Sequence, residues 1–199
     1  MSERERQHGQ FAVAVIGHAD VAIWRIMQGQ MTHMASSVSI GAADSSTKDL
    51  DRFRASLRGG VLGPHAHVSL LGLHAPDSAS VLRLVRKGLP YRAFERFQRN
   101  SNLSFERLIA LINVPRRTMT RRKGEGRFLP DESDRLIRAS RLYGKTLELF
   151  EGDRDAAVEW LTTAQPGLGG NVPVDLANTE VGAREVEHLV GRLENGVFP

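Results

Sequence analysis

The chain has 199 residues, of which 41% are hydrophobic and 25% are charged, a composition typical of a globular protein with one domain or two small ones. It contains no cysteine, which excludes a disulfide framework and a thiolate metal site. No apolar run reaches the roughly 18 residues that a membrane span needs, and the apolar stretch at 11–24 lacks the charge pattern and cleavage site of a signal peptide. We therefore expect a cytoplasmic protein that does not bind a membrane.

The net charge of +4 conceals two segments of opposite sign. Residues 76–129 hold 13 basic and 4 acidic side chains, whereas residues 130–199 hold 7 basic and 13 acidic ones. A basic segment of this kind favours a polyanionic partner, and the acidic end favours a different one.

The first 75 residues show little periodicity, apart from a short helix predicted over 48–57. We treat residues 1–75 as an N-terminal extension of unknown order. Residues 76–129 are predicted to form a helix-turn-helix DNA-binding domain, and residues 130–199 a connecting helix and a C-terminal domain.

From residue 76 onward, apolar residues recur at the 3.6-residue spacing of helices. Capping and helix-breaking residues separate the first four predicted helices. They are Asp77 or Ser78, Gly88, Pro90, Ser104, Asn113, Pro115 as the first helical residue, and the GEG sequence at 124–126. A long helix follows from residue 130, then helices before Pro166, at 173–177 and at 179–194. Because no strand pattern competes with these helices, the predicted fold class is all-α.

The segment LIALINVPRRTMTRR at 108–122 combines a helical apolar pattern, a short break and a basic run. Val114 and Met119 are predicted to point back toward the preceding helix, while the basic residues of the second helix share one face. In a helix-turn-helix, the N-terminal half of the second helix enters the major groove, where arginine can bind guanine edges. The candidate DNA-binding residues are Arg116, Arg117, Thr118, Thr120, Arg121, Arg122 and Lys123. A solvated face without a ligand, an RNA site and a site for an acidic protein remain alternatives.

Other kinds of site find little support in the sequence. His65, His67 and His74 have no carboxylate or cysteine partners at metal-ligand spacing. The GLGG sequence at 167–170 lacks the strand before a helix that a dinucleotide site requires. We expect no metal, no cofactor and no catalytic residues, although an enzyme with its activity in residues 1–75 is an alternative.

Two blocks of the sequence resemble the Xre/MbcA/ParS family of antitoxins. The first is VPRRTMTRRK followed by LPDESDRLIRASRLYGKTLELF, and the second is AVEWLTTAQPGLGGNVPVDLANTEVGAREVEHLVGRLENG. The resemblance implies a Cro-like helix-turn-helix bundle followed by a small helical toxin-binding domain. Pro115 departs from the family pattern, since serine or threonine is usual at the start of the recognition helix.

The resemblance also implies partners and a mechanism. The partner would be a cognate RES-domain toxin that consumes NAD, with its active site blocked by the antitoxin's C-terminal residues Asn195, Gly196, Val197, Phe198 and Pro199. The chain would form a homodimer within a larger toxin–antitoxin complex and repress its own promoter by binding an inverted-repeat operator. Trp160 and Leu161 would lie either in the dimer interface or in the core. A stand-alone helix-turn-helix transcriptional regulator without a toxin partner is the alternative.

Overall fold

The computed structural model describes residues 48–58 and 63–197, so the apolar stretch at 11–24 and the last two residues, Phe198 and Pro199, lie outside the described part. Within it, nine α-helices and two 3₁₀ helices form the molecule, with two isolated β-bridges and no strand. The α-helices are α1 (Lys48–Arg58), α2 (Ser78–Lys87), α3 (Tyr91–Ser101), α4 (Phe105–Leu111), α5 (Arg116–Glu125), α6 (Pro130–Leu149), α7 (Arg154–Thr162), α8 (Pro173–Leu176) and α9 (Glu180–Glu194). The 3₁₀ helices are Ala66–Leu71 and Pro166–Leu168. The predicted all-α fold is confirmed.

Side-chain caps begin several helices at the predicted residues. Asp77, rather than Ser78, accepts a hydrogen bond from the Ser80 amide at 2.7 Å, and Ser104 accepts one from the Arg107 amide at 3.2 Å. The helix that contains the basic run begins one residue later than predicted. The ψ of Pro115, 145°, is extended, so Pro115 is the N-cap of α5 and the helix begins at Arg116.

Helix α6 is the longest helix of the described part, with 20 residues, and it is buried along most of its length. It packs against the first 3₁₀ helix, α2 and α3 on the N-terminal side, and against α7 and α9 on the C-terminal side. Leu136, Leu142 and Leu147 are at most 1% exposed. The two halves of the chain therefore share one helix and one continuous hydrophobic core.

Residues 48–58 and 63–75 contribute to this core, although the sequence suggested an extension of unknown order. Helix α1 follows the predicted helix, and its Phe53 is buried together with Val68 and Leu70 of the first 3₁₀ helix, which the sequence did not predict. Gly144 of α6 makes this approach possible, because a β-carbon there would lie 3.1 Å from Cβ of His67. The packing therefore does not break at residue 75.

Ion pairs link the C-terminal helices to α4 and to α6. Arg107 of α4 lies 3.0 Å from Asp175 of α8. On α6, Arg141 lies 2.9 Å and Lys145 3.0 Å from Glu187 of α9. Part of the acidic charge of residues 130–199 is therefore neutralised within the molecule.

The C-terminal part packs as a compact helical unit. Trp160 and Leu161 lie on the buried face of α7, and the ring centroids of Trp160 and Phe150 lie 6.5 Å apart. The GLGG sequence forms a turn, with both Gly169 and Gly170 at positive φ. Of the two roles considered for Trp160 and Leu161, the structure places both residues in the core of the single chain.

Candidate DNA-binding helix and C-terminal segment

Helices α4 and α5 form the two-helix unit that the sequence predicted. Leu108 and Leu111 of α4 are buried with Val114 and Met119, each at most 3% exposed. The connection turns at Asn113, whose φ of 49° is left-handed, a conformation that asparagine tolerates better than most residues. The predicted inward orientation of Val114 and Met119 is confirmed.

The opposite side of α5 faces solvent. Arg117, Thr120, Arg121 and Lys123 are exposed, and Thr118 is half-buried. The Thr120 hydroxyl donates to the Arg116 carbonyl at 3.3 Å, as threonines inside helices often do. Arg121 lies 3.9 Å from the carboxylate of Glu125, at the outer limit of an ion pair. The guanidinium groups of Arg117 and Arg121 thus belong to one exposed helical surface.

Arg116 is exposed, but its guanidinium group already has two partners within the chain. It forms an ion pair with Glu106, and its guanidinium carbon lies 5.2 Å from the centroid of the Phe105 ring. A cation above an aromatic face is attracted by the ring quadrupole. Arg116 therefore joins α5 to the start of α4.

The expectation that Arg122 contacts DNA was wrong. Its side chain is 5% exposed and lies beside Glu132 of α6, with Nε at 2.6 Å and Nη2 at 2.9 Å from the two carboxylate oxygens. The hydrogen bonds that its guanidinium donates to Glu132 and to Glu125 raise the pKa of Arg122 above its usual value. Arg122 follows Met119 by three residues, so it continues the buried stripe of α5 and holds the helix against α6.

The C-terminal segment leaves α9 in a defined turn. Gly196 has a φ of 68°, the Gly196 amide donates to the Leu193 carbonyl, and the Val197 amide donates to the Arg192 carbonyl at 2.8 Å. These two bonds form a Schellman motif, which ends a helix and redirects the chain. Asn195, Gly196 and Val197 are exposed. Of the five candidate toxin-binding residues, these three lie at an exposed helix end, and Phe198 and Pro199 are not described.

Comparisons with known proteins match both halves of the chain. The model of the Antitoxin Xre-like helix-turn-helix domain matches residues 80–141, and that of the Antitoxin Xre/MbcA/ParS C-terminal toxin-binding domain matches residues 146–196. The protein "Antitoxin Xre" of Yersinia enterocolitica is 34% identical over 129 residues, which are 64% of this chain and 87% of that protein. The chain belongs to the Xre/MbcA/ParS family of antitoxins.

Two further relatives carry antitoxin names. "Antitoxin Xre" of Photorhabdus laumondii is 33% identical over 128 residues, or 64% of this chain and 86% of that protein. "Prs ADP-ribosylating antitoxin" of a Sphingobium species is 25% identical over 144 residues, or 68% of this chain and 89% of that protein. This antitoxin therefore combines a helix-turn-helix domain with a toxin-binding domain, and the short stretch between the two matches, 142–145, lies inside α6.

The histidines of the antitoxin do not form a metal site within the described ranges. No group of three histidine, cysteine or carboxylate side chains in residues 48–58 and 63–197 has the geometry to hold a metal ion. His67 is 7% exposed, and burial, followed by the charge of Arg141, lowers its pKa to about 4.

None of the helices in residues 48–58 and 63–197 is long and apolar enough to cross a membrane.

Proposed function

We propose that this antitoxin performs two tasks with two different surfaces of one folded unit. A homodimer binds an inverted-repeat operator through α5 and represses its own promoter. The C-terminal domain binds a cognate RES-domain toxin that consumes NAD, and residues 195–199 occlude the active site of that toxin.

The exposed face of α5 supports operator binding. Arg117 and Arg121 lie four residues apart on it, with Thr120 between them, and Arg121 has only a distant carboxylate partner. Arginine binds guanine in the major groove through two parallel hydrogen bonds, and threonine donates to phosphates. We assign base contacts to Arg117 and Arg121, and backbone contacts to Lys123.

The observation that carries the neutralisation mechanism is the exit of the chain from α9. The Schellman turn at Gly196 releases the backbone from the helix, and Val197 is an exposed apolar side chain, 54% accessible. An exposed apolar side chain at a helix end can enter a cleft on a partner, where burial of its surface favours binding. The name of the Sphingobium relative refers to ADP-ribosylation, a reaction that uses NAD as the donor, and this favours an NAD-consuming partner.

The two tasks can be separated by variants of the full chain. Deletion of residues 197–199 is expected to restore NAD consumption by the co-expressed toxin, while binding to promoter DNA stays unchanged. Arg117→Gln/Arg121→Gln is expected to lower promoter affinity by at least about tenfold per base contact, while the toxin stays inhibited. Fluorescence anisotropy with promoter DNA and a fluorimetric assay of NAD provide the two measurements.

Arg86→Gln/Lys87→Gln is the matched control, because it removes the same charge from exposed positions at the end of α2. It should leave both activities unchanged. Equal inhibition of the toxin by the shortened chain would contradict occlusion by the C-terminal residues. Promoter binding that falls equally in the control and in the α5 variant would show that net charge, and not α5, is responsible.

A further inference from the structure

A cavity of about 680 Å³ lies between α1, the end of the first 3₁₀ helix and α3. Four cationic side chains line it: Lys48, Arg52, Arg96 and Arg99. Asp49 is the one carboxylate among the described residues of its lining. We propose that this cavity binds a small phosphate-bearing ligand, and that it does so independently of operator DNA and of the toxin.

The charges of the cavity favour an anion. Asp49 lies 3.4 Å from Arg52 and 3.8 Å from Arg96, so one carboxylate is shared by two guanidinium groups at the long end of ion-pair distances. Lys48 and Arg99 have no ion pair with any carboxylate that the structure describes. Cations that converge on a concave surface raise the local concentration of an anionic ligand more than the same charges on a convex one.

Arg96 is positioned by the backbone of the turn that precedes α2. Its Nη1 donates to the Gly72 carbonyl at 3.0 Å. Gly72 has a left-handed φ of 65°, and a β-carbon at this position would lie 2.1 Å from Nη1 of Arg96. The absence of a side chain at residue 72 therefore allows Arg96 to lie across the turn. Its remaining N–H groups can donate to a phosphate in the paired geometry that guanidinium groups favour.

The lining also selects the class of ligand. Leu73 is the only hydrophobic side chain among the described lining residues, and Ser69 and His74 add polar groups. A lining of this kind offers little apolar surface to an uncharged organic molecule, whereas several cations suit one or two phosphate groups. The volume is in the range of pockets that bind small organic ligands, roughly 300–1,000 Å³.

This cavity is distinct from the two sites assigned above. None of the candidate DNA-binding residues of α5 and none of residues 195–197 is among the described residues that line it. Lys48, Arg52 and Gly72 also lie before residue 80, where the match to the helix-turn-helix domain model begins. The helix-turn-helix match therefore assigns no role to the residues that build this side of the cavity.

The test is isothermal titration calorimetry of the full chain with inorganic pyrophosphate at physiological salt. We expect saturable binding at one site per chain, and no binding of adenosine, which carries no phosphate. Arg52→Gln/Arg99→Gln removes two exposed cations of the lining and is expected to weaken pyrophosphate binding at least tenfold, with unchanged binding to promoter DNA. Arg86→Gln/Lys87→Gln removes the same charge elsewhere and should bind pyrophosphate like the parent chain.

Four results would overturn the proposal. They are the absence of saturable pyrophosphate binding, binding of adenosine as tight as that of pyrophosphate, an equal loss of affinity in the control variant, and a loss of promoter binding in Arg52→Gln/Arg99→Gln with pyrophosphate binding intact. The last result would identify the cationic lining as part of the DNA surface. A second variant, Lys48→Gln/Arg52→Gln, should also weaken binding at least tenfold, so the test does not depend on one pair of substitutions.

Discussion

Arg122 lies inside the basic run of α5, yet its guanidinium faces the protein. Glu132 receives two of its hydrogen bonds and also accepts the Leu129 amide at 2.8 Å, so one carboxylate fixes both the end of α5 and the start of α6. Arg122 and Glu132 are each 4% exposed. Removal of one partner of a buried ion pair leaves an uncompensated charge, which is more costly than the loss of the pair itself.

Arg122→Ala is therefore expected to lower the free energy of unfolding by about 3 kcal/mol. Arg117→Ala, which removes an exposed arginine of the same helix, should change it by less than about 0.5 kcal/mol. Urea denaturation followed by circular dichroism measures both. If Arg122→Ala destabilises the chain no more than Arg117→Ala, Arg122 does not hold α5 on α6.

His67 makes the stability of the fold depend on pH. Its pKa falls to about 4 in the folded chain, because burial disfavours the charged imidazolium and the charge of Arg141 adds to this effect. The unfolded chain has an ordinary histidine pKa of about 6.5, so between these values it binds a proton that the folded chain does not. Titration of His67 leaves the free energy of unfolding unchanged above about pH 6.5. As the pH falls from there toward about 4, it lowers the free energy of unfolding by about 1.4 kcal/mol per pH unit.

His67→Leu should reduce that slope, because leucine does not titrate. Between pH 6.5 and pH 4, the parent chain should lose about 3 kcal/mol more stability than His67→Leu does, as measured by urea denaturation at several pH values. His188→Gln, at an exposed position of α9, should keep the slope of the parent chain. Parallel curves for His67→Leu and the parent chain would contradict this prediction.

At the scale of elements, two glycines of α9 have opposite surroundings. A β-carbon on Gly182 would lie 1.9 Å from the carbonyl oxygen of Leu176, so α8 and α9 can touch only because this side chain is absent. Nothing lies within 4 Å of a β-carbon on Gly191. Close packing between backbones requires glycine at the first position, whereas the second only loses the helix propensity that alanine would provide.

Gly182→Ala is expected to destabilise the chain by about 2 kcal/mol, since α8 or the start of α9 must move to relieve the overlap. Gly191→Ala is expected to stabilise it by up to about 1 kcal/mol. Thermal unfolding of the two variants gives the signs directly. A stabilising effect of Gly182→Ala would show that the contact between α8 and α9 is looser than in the structure.

The sequence was informative about helices and less so about the residues that helices bring together. Periodicity and capping residues located α1 to α9, because both signals are local. The first 3₁₀ helix was missed, since it is only six residues long and its burial depends on the neighbouring helices. The role of Arg122 depends on Glu132, ten residues away on another helix. The cationic cavity could not be predicted, because its lining comes from three separate segments.

At the scale of the molecule, the described residues share one hydrophobic core from α1 to α9. The helix-turn-helix match ends at residue 141 and the toxin-binding match begins at residue 146, so both depend on α6. Two domains that share a central helix cannot unfold separately without exposing that helix. The helix-turn-helix and toxin-binding halves should therefore unfold as one cooperative unit.

Differential scanning calorimetry of the full chain tests this cooperativity with two variants at opposite ends of the core. Phe53→Ala in α1 and Leu189→Ala in α9 should each cost about 3 kcal/mol, which corresponds to a fall of about 6 to 12 °C in the Tm of a chain of this size. Both should shift the same single transition, with a calorimetric enthalpy equal to the van't Hoff enthalpy. Leu82→Ala, at a position that is 48% exposed, should change the Tm little. Two transitions, of which Phe53→Ala moves only one, would mean that α6 does not couple the halves.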